Sequence, residues 1–507
     1  MTQSSAPQRA ELPPTRIAPR RTALSGAMLC ILLASLDQNI VNTALPRMVS
    51  DLGGMAHLSW VVTAFMLSST VTTPLYGKLS DTYGRRRLFL VAIIIFLAGS
   101  LLCGTAGSMT QLILFRALQG LGAGGLLVLA QSSIGDVVPP RERPRYQGLF
   151  TGTFALASVA GPLLGGIITS ALSWRWVFYV NLPLGAVALL LIGLGLRTPP
   201  SGRARPLDVA GLLLMASGTA ALLLLLAWGG QEFPWASAAS AGMVALVLAL
   251  FLAFIWRERR AADPLIRLGL FRNPVFARGV SVSGMMTFAM LGSTVFLPLY
   301  FQLVLGMSPA WAGAMMLPQV AGMVLTSVLG GRAASRLGRN KVFLLWGLGL
   351  EAVALVALAA LAWFAAPPSV FLVALGTLGL GMGMGMPNLT TAVQNAVDYK
   401  ELGAATGAMT FVRSLGGAVG VATSGALLAA RLAGPVDVEA MTRGGAAALA
   451  ALTPEQHALL SEAYRTALTG CFTLSGLVMS AAFLLVLGLP EQKLRGTLEQ
   501  RAEERPA

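Results

Sequence analysis

Apolar segments dominate the pattern along the chain, and only short polar stretches separate them. A helix needs about 20 apolar residues to cross the hydrocarbon core of a bilayer, and most of these segments are that long. The apolar segments cover residues 22–46, 57–78, 87–107, 109–132, 147–170, 176–196, 207–228, 238–256, 279–304, 311–331, 341–365, 369–392, 403–429 and 466–489. The pattern therefore predicts an all-α membrane protein with fourteen transmembrane helices.

Lysine and arginine concentrate in alternate loops, which predicts the orientation of the helices. Cytoplasmic loops of membrane proteins carry an excess of these residues. The basic loops are Arg85–Arg87, Arg141–Arg145, Arg197–Arg205, Arg257–Arg278 and Arg332–Lys341. An even number of spans places both termini on the same side, so we expect both termini in the cytoplasm. Residues 1–21 are predicted to be a disordered cytoplasmic tail and not a signal peptide, since no cleavage site follows.

Composition excludes several other classes of protein. Of the 507 residues, 55% are hydrophobic and 11% are charged, whereas soluble domains carry about 25% charged residues. The net charge of +15 lies in the tails and alternate loops, so we expect contact with a lipid bilayer and none with nucleic acid. The three cysteines and two histidines form no metal or disulfide pattern. No phosphate-binding loop of the G-x-x-x-x-G-K-[ST] type is present, so no cofactor is expected.

An internal repeat divides the chain into two halves. The run GKLSDTYGRRR at 77–87 recurs 254 residues later as GRAASRLGRNK at 331–341, with Ser335 in place of Asp81. A second repeat relates GPLLG at 161–165 to GGAVG at 416–420. Repeats of this kind are typical of transporters built from two related bundles. We therefore predict six helices in residues 22–200, two extra helices in 201–260 and six helices in 261–490, followed by a cytoplasmic tail at 491–507.

One predicted outer loop, residues 430–465, is much longer than the others. Thr453 can cap a helix, with Pro454 at its first position. We expect one or two short amphipathic helices in this loop, outside the membrane.

The run at 77–87 resembles the loop between the second and third helices of the major facilitator superfamily. Asp81 lies four residues before Arg85 and can pair with it if the segment is helical. Gly77 allows two helices to approach closely, and Gly84 can adopt a positive φ. The resemblance implies that Gly77, Asp81, Gly84 and Arg85 hold the two halves together on the cytoplasmic side in one state and release them in the other.

Three further motifs carry a resemblance: the first and third are similar to those of the fourteen-helix drug:proton antiporter family, and the second resembles the fourth-helix pattern of the superfamily, which is linked to proton transfer. They are LDQNIVNTALP at 36–46, RALQGLGAG at 116–124 and WRWVFYVNLP at 174–183. The first departs from the family pattern at Asn39, where threonine is usual. Gly161, Pro162 and Gly165 lie in a run that resembles the antiporter motif of the fifth helix. The resemblance implies the major facilitator fold, no enzymatic activity, a bacterial inner-membrane location and energy from the proton gradient.

Four charged residues lie within predicted spans, where each costs at least about 2.5–3.5 kcal/mol. Asp37 lies about 13 Å before Pro46 and Arg116 about 10 Å after Met109 along their helices. Similar depth predicts that Asp37 and Arg116 pair. The pair is either a proton-coupled switch or a permanent structural ion pair.

The other two charges, Glu351 and Arg413, lie in the second half of the chain. Glu351 is either a second proton site or a buried carboxyl satisfied by a neighbour. Arg413 is expected to stabilise a repeat-related helix or the cavity wall. The sequence provides no partner for either residue.

The candidates for a substrate cavity are aromatic and polar residues of the spans, together with a dense set of methionines that suit varied ligands. The candidate substrate-binding residues are Asp37, Phe65, Phe288, Phe296, Tyr300, Gln302, Asn388 and Phe411. The run GLGMGMGM at 379–386 permits close packing or local bending.

The sequence thus predicts a monomeric antiporter that exports amphipathic, often cationic drugs in exchange for protons by alternating access. A dedicated exporter of one metabolite, antibiotic or lipid would carry the same motifs. A membrane enzyme would need a buried histidine, serine or metal cluster, and His57 and His457 do not form one. The repeat and the charges buried within helices argue against a pore or receptor.

Overall fold

The computed structural model describes residues 17–53, 57–196, 208–230, 232–432 and 453–491. These residues are helical apart from short connections and one isolated β-bridge between Gly229 and Phe233. The first nine helices are α1 (Ile17–Leu52), α2 (Leu58–Tyr83), α3 (Arg85–Thr105), α4 (Met109–Val137), α5 (Arg143–Ala171), α6 (Trp176–Tyr179), α7 (Asn181–Gly195), α8 (Val209–Trp228) and α9 (Ala238–Arg260). The later helices are α10 (Pro274–Thr294), α11 (Leu297–Leu303), α12 (Pro309–Ala314), α13 (Leu317–Leu337), α14 (Lys341–Trp363), α15 (Pro368–Asn395), α16 (Leu402–Leu432) and α17 (Pro454–Leu487).

The described residues contain 13 segments that are long and apolar enough to cross a membrane. One of them combines α6 with α7, and another combines the end of α12 with α13. The remaining predicted span is α2, which has 26 residues but many serines and threonines. The hydroxyls of Ser68, Thr72 and Thr73 donate to carbonyls one turn earlier in α2, each at 2.8 Å. These hydroxyls need no water, so α2 can cross a bilayer and complete the fourteen predicted spans.

Helix α1 is longer than predicted. The sequence analysis ended this span at Pro46, but the helix continues to Leu52 with Pro46 inside it. Proline removes one backbone hydrogen bond, and contacts beyond it hold the last turns in place. Arg47 donates to the carbonyl of Thr169, and the Trp174 indole donates to Asp51 at 2.7 Å. Asp37 therefore lies about 22 Å from the end of its helix, and not about 13 Å.

Helix α17 also begins earlier than predicted, at Pro454 and not near residue 466. Thr453 caps it, because its hydroxyl accepts from the Gln456 amide at 3.3 Å and its own amide donates to the Gln456 side chain at 3.0 Å. The cap was predicted, but it starts a 34-residue helix and not a short one. Residues 433–452 of the predicted outer loop at 430–465 lie outside the described residues.

The helices pack into two bundles joined by α8 and α9. In the N-terminal bundle (α1–α7), α4 packs against α2 and α3, while α1 packs against α5 and α7. In the C-terminal bundle (α10–α17), α10 packs against α16 and α15 against α13 and α14. Helices α8 and α9 pack together, and Met215 and Phe254 on them join a buried cluster with Phe276 of α10 and Met409 of α16. This packing positions the ends of the two bundles against each other.

We call the end of the structure that carries Arg85–Arg87 and Arg141–Arg145 the basic end. Helices of the C-terminal bundle meet the N-terminal bundle there, among them α15, whose Gln394 and Asn395 contact α4 and α5. Helix α16 packs along α2, and helix α13 packs along α5. These two junctions follow the repeat found in the sequence, since each includes one copy of the repeated run.

Candidate functional site

Asp37 lies at the centre of a hydrogen-bonded cluster inside the N-terminal bundle, which we call the Asp37 cluster. Its Oδ2 pairs with Arg116 Nη1 at 2.7 Å. Its Oδ1 accepts from Gln119 Nε2 at 2.8 Å and from Asn181 Nδ2 at 2.7 Å. Asp37 has no exposed surface, and only 1% of the Arg116 surface is exposed. The carboxylate thus receives three donors from two other helices in a site closed to water in this conformation.

Further contacts fix the donors themselves. Ser100 Oγ on α3 accepts from Gln119 Nε2 at 2.7 Å and from Asn181 Nδ2 at 3.2 Å. Arg116 Nη1 also donates to Gln119 Oε1 at 2.7 Å. Because the cluster draws on α1, α3, α4 and α7, a change of charge at Asp37 acts on the packing of four helices.

The Arg116 guanidinium is also held by aromatic and backbone groups. It lies 4.0 Å from the centre of the Phe65 ring and 5.8 Å from that of Phe178. Its Nε donates to the Val61 carbonyl at 3.4 Å. Cation–π contacts strengthen when water is excluded, so Phe65 stabilises the guanidinium in this buried position.

The sequence of α4 explains how the cluster forms. Gln119 follows Arg116 by three residues and therefore lies on the same helical face. The glycines after it allow neighbouring helices to approach. A Cβ on Gly120 would lie 2.5 Å from the Phe65 carbonyl oxygen of α2, and one on Gly122 would lie 2.4 Å from Phe96 N of α3. The spacing R-x-x-Q-G-x-G thus provides two donors on a helix that fits tightly between α2 and α3.

The structure brings Asp37 and Arg116 together as predicted, although the depth estimate for Asp37 was wrong because α1 continues past Pro46, and it adds three residues that sequence reasoning did not assign. Gln119 and Asn181 lie within motifs quoted above, so their polarity in apolar spans was an available signal. Ser100 is one serine in an apolar segment and provides no such signal.

At the basic end, Asp81 joins the two bundles. Its Oδ1 accepts from Gly403 N at 3.0 Å and its Oδ2 from Ala404 N at 2.8 Å, both in the first turn of α16. Arg85 Nη2 lies 3.2 Å from Asp81 Oδ1, and Arg85 also pairs with Asp136 of α4. A carboxylate at a helix N-terminus is favourable because the first amides lack intrahelical partners. We call this contact the Asp81 junction.

Two glycines shape the Asp81 junction. A Cβ on Gly77 would lie only 2.4 Å from the Gly403 carbonyl oxygen, so this residue allows α2 and α16 to touch. Gly84 has φ +89° between α2 and α3, a conformation that favours glycine. The sequence analysis predicted both features.

The connection between α9 and α10 adds ion pairs at the same place. Lys78 Nζ lies 2.5 Å from Asp263 Oδ1, and both side chains are mostly buried. Arg267 pairs with Glu401, just before α16. The connection thus contacts the N-terminal bundle through Asp263 and the C-terminal bundle through Arg267.

The second copy of the repeat forms a separate contact, which we call the Arg141 junction. Arg141 Nε and Nη2 donate to the carbonyls of Ser335 and Arg336 at 3.3 and 3.1 Å, in the last turn of α13. A Cβ on Gly331 would lie 2.4 Å from the Pro144 carbonyl oxygen of α5. The Asp81 and Arg141 junctions are therefore two separate contacts between the bundles at the basic end.

Gly161 and Gly165 lie within α5 on the side of α1, and not between the bundles, whereas Pro162 of the same helix is exposed. A Cβ on Gly161 would lie 2.4 Å from Asn39 Cβ, and one on Gly165 would lie 2.1 Å from Thr43 Oγ1. Their predicted part in switching would therefore act through the α1–α5 contact inside the N-terminal bundle.

The predicted substrate residues occupy different surroundings. Phe65 covers Arg116, and Tyr300 packs with Phe301 and Phe371 in a buried aromatic group. Asn388 and Phe411 are also buried, while the remaining three are half-buried: Phe288, Phe296 and Gln302. Their assignment to a substrate cavity stays a prediction.

Arg413 and Glu351 lie in the C-terminal bundle. Arg413 Nε donates to Ser283 Oγ at 3.0 Å and its Nη2 to Thr390 Oγ1 at 3.3 Å, so it links α16 to α10 and α15. Glu351 is buried on α14 with 1% of its surface exposed.

Comparison with known proteins identifies the class of this chain. The pattern of the Major Facilitator Superfamily matches residues 27–214 and 209–421. The multidrug transporter protein MdtP of Bacillus subtilis is 37% identical over 424 residues, which cover 81% of this chain and 76% of the relative. Multidrug resistance protein 3 of the same organism is 35% identical over 79% of this chain and 78% of its own length. Relatives of this kind are transporters.

A fungal relative and a solved structure extend the comparison. The efflux pump FUS6 of Gibberella moniliformis is 32% identical over 79% of this chain and 72% of its own length. The proton:xylose symporter XylE superposes with a TM-score of 0.64 at 15% identity, over 96% of this chain and 99% of XylE. At this identity the superposition establishes the fold, which is the predicted major facilitator fold.

Proposed function

This chain belongs to the major facilitator superfamily, and we propose that it is a proton-coupled antiporter that exports amphipathic, often cationic compounds by alternating access. The observation that supports this proposal most strongly is the Asp37 cluster. A charged side chain inside a membrane span is costly to bury and marks a candidate functional residue. The cost of a buried ion pair is offset only when further hydrogen bonds satisfy its polar atoms. Here it is satisfied by three donors, so loss of its charge has a defined structural consequence.

The proposed coupling step is the protonation of Asp37. A proton on the carboxyl removes the charge that Arg116 neutralises and weakens the bonds from Gln119 and Asn181. Helices α1, α4 and α7 then lose their common anchor and can adopt a different packing. Return to the ionised form restores the arrangement seen here, in which the bundles touch at the basic end.

The energetics of this coupling are adequate. One charge that crosses a potential of 100 mV supplies about 2.3 kcal/mol. Since about 1.4 kcal/mol corresponds to a tenfold ratio, one proton supports a substrate gradient of roughly fortyfold.

We propose further that the protein is a monomer in the bacterial inner membrane, with the basic end and both termini in the cytoplasm. The distribution of lysine and arginine supports this orientation. Tags at both termini should then be accessible only from the cytoplasm, and a tag near residue 445 only from outside. The opposite accessibility at residue 445 would contradict the orientation.

The proposal is tested by Asp37→Asn, which imitates the protonated carboxyl permanently. The purified variant in proteoliposomes should lose uphill export of ethidium driven by a pH gradient. Cationic dyes should lose more affinity than neutral ones, because a countercharge disappears from a site of low dielectric constant. Glu455→Gln, which removes an exposed carboxylate at the start of α17, is the control and should transport normally.

Two results would contradict the proposal. Proton release on dye binding that is as large in well-folded Asp37→Asn as in the wild type would move coupling elsewhere. Transport that does not depend on a pH gradient in the wild type would exclude proton coupling.

A dedicated exporter of one compound is the second candidate, and the similarity to FUS6 supports keeping it. Competition among chemically unrelated dyes in the same vesicles separates the two functions. A multidrug pump shows mutual inhibition, whereas a dedicated exporter responds only to close analogues of its substrate.

A further inference from the structure

Glu351 is a buried acid that the proposed coupling step does not use. It lies in the middle of α14, with 1% of its surface exposed, and its Oε1 accepts no hydrogen bond from the described residues. Asp37, by contrast, receives three donors at its two oxygens. The buried acids Asp37 and Glu351 therefore have opposite surroundings.

No described charged group compensates Glu351. Helix α15, which packs against α14, contains no charged residue between Pro368 and Asn395. On α17, the other neighbour of α14, Glu462 and Arg465 pair with each other near the end opposite the basic end. The remaining ionisable residues of these neighbours are Glu455, His457, Tyr464 and Cys471 of α17, together with Arg278 of the nearby α10 and Lys341 of α14 itself. Arg278 and Lys341 bond to the carbonyls of Gly488 and Leu487 at the basic end.

The glycines of α15 form the space that holds the Glu351 carboxyl. A Cβ on Gly381 would lie 2.7 Å from Glu351 Cγ, and one on Gly385 would lie 3.0 Å from Glu351 Oε1. The same Cβ on Gly385 would lie 2.8 Å from the Met286 methyl of α10. The Glu351 slot, formed by Gly381, Gly385 and Met286, therefore explains two of the alternating glycines in the run at 379–386.

A line of polar groups connects the Glu351 slot to the basic end. Asn388 follows Gly385 by three residues, is fully buried, and its Oδ1 accepts no hydrogen bond from the described residues. Its carbonyl accepts from Asn340 Nδ2 at 3.4 Å. Asn340 lines a small crevice at the basic end, together with Val275, Leu344 and Ala392. Gly385, Asn388 and Ala392 are spaced by about one turn of α15 each.

We propose that Glu351 is a second proton-binding site, in the C-terminal bundle, and that its carboxyl holds a proton in the conformation described here. An isolated carboxylate in an apolar site is far more costly to bury than a neutral carboxyl. When the bundles open at the basic end and α15 leaves α5, water reaches the slot along Asn388 and Asn340. The Glu351 O–H bond then breaks, the proton passes to water, and the carboxylate remains solvated in the opened slot.

This inference rests on the proposed function, because release of a proton at the basic end drives export only if that end is cytoplasmic. The expected linkage has a definite sign. The neutral carboxyl favours the conformation in which the bundles touch at the basic end, and the carboxylate favours its opening. Through Glu351 alone, a rise in pH should therefore increase the open population, by at most about tenfold per pH unit for one proton, whereas ionisation of Asp37 acts in the opposite direction.

The first test is infrared spectroscopy of the protein in nanodiscs, which needs no substrate. The wild type should show the carbonyl stretch of a protonated, buried carboxyl, and Glu351→Gln should lack that band. If Glu351→Gln does not fold, Glu351→Asp provides the assignment, because it should shift the same band. Absence of the band in the wild type, or a band unaffected by both variants, would overturn the proposal.

The second test measures the open population with spin labels across the Asp81 junction, as a function of pH. In Asp37→Asn, where the opposite contribution of Asp37 is absent, opening should increase with pH, and the added change Glu351→Gln should remove at least half of that slope. A slope that is unchanged by the added Glu351→Gln would overturn the coupling of this proton to opening. Asp37→Asn in the same assay tests the Asp37 cluster separately, so either site can fail while the other stands.

Discussion

The Asp81 and Arg141 junctions originate from the two copies of one repeated run, yet they hold the bundles together in different ways. Their backbones approach equally closely, since a Cβ on Gly77 or on Gly331 would lie 2.4 Å from a carbonyl oxygen of the opposite bundle. The polar contacts differ. At the first junction Asp81 binds the amides that begin α16, and at the second Arg141 binds the carbonyls that end α13.

The comparison shows why Ser335 can replace Asp81 in the second copy. Amides at a helix N-terminus require an acceptor, and carbonyls at a C-terminus require a donor. Both copies of the run lie at the end of a helix, α2 or α13. The first copy meets the amides that begin α16, whereas in the second the carbonyls of the run itself are contacted, so the charge comes from Arg141 of the other bundle. The Asp81 junction is also largely buried, whereas the Arg141 contacts are exposed. We therefore expect the two junctions to contribute unequally to closure.

The largest effect is expected from the shared glycines. Gly77→Ala and Gly331→Ala each place a methyl group against a backbone oxygen that cannot rotate away. The contact exists only while the bundles touch, so the closed form should lose about 1–3 kcal/mol, or roughly 5- to 150-fold in population. Distances between spin labels at the basic end measure this shift. Gly166→Ala and Gly193→Ala are controls, because a Cβ there meets nothing within 4 Å. Closure as complete as in the wild type for both test variants would show that the bundles tolerate a wider gap.

A smaller effect is expected from Asp81→Asn. Hydrogen bonds to charged groups contribute about 1.5–3 kcal/mol and neutral ones about 0.5–1.5, so the closed form should lose about 1–2 kcal/mol. Ligand affinity in a fixed conformation should stay unchanged, because the residue lies far from the Asp37 cluster along α2. Ser335→Ala is the matched control in the other copy, because Arg141 contacts the backbone carbonyl of Ser335 and not its side chain. Equal effects of Asp81→Asn and Ser335→Ala would remove the difference between the junctions.

The smallest effect is expected from Arg141→Ala. Exposed charged contacts contribute about 0–1 kcal/mol, and salt screens them over about 8 Å at physiological ionic strength. Opening at the basic end should increase slightly at low salt and be indistinguishable from the wild type at high salt. Arg259→Ala, at an exposed position at the end of α9, is the control. A loss of closure as large as that of Asp81→Asn would contradict the unequal contributions.

The sequence alone determined the features that depend on residues close to one another along the chain. The length of the apolar segments predicted the fourteen spans, the repeat predicted the relation between Gly77 and Gly331, and local chemistry predicted the positive φ of Gly84 and the cap at Thr453. Prediction failed at the ends of α1 and α17, where contacts beyond the apolar segment extend a helix past Pro46 or before residue 466.

The tertiary structure decided which helical faces meet. Asn181 joins Asp37 from 144 positions away and Gly403 joins Asp81 from 322 positions away, and no local pattern specifies such partners. The same holds for Glu351, whose surroundings depend on Gly381 and Gly385 of the next helix. A side chain's position along a span follows from its distance to the helix ends, but its partners follow from how whole helices pack, and that is fixed by many weak contacts distributed over the entire bundle.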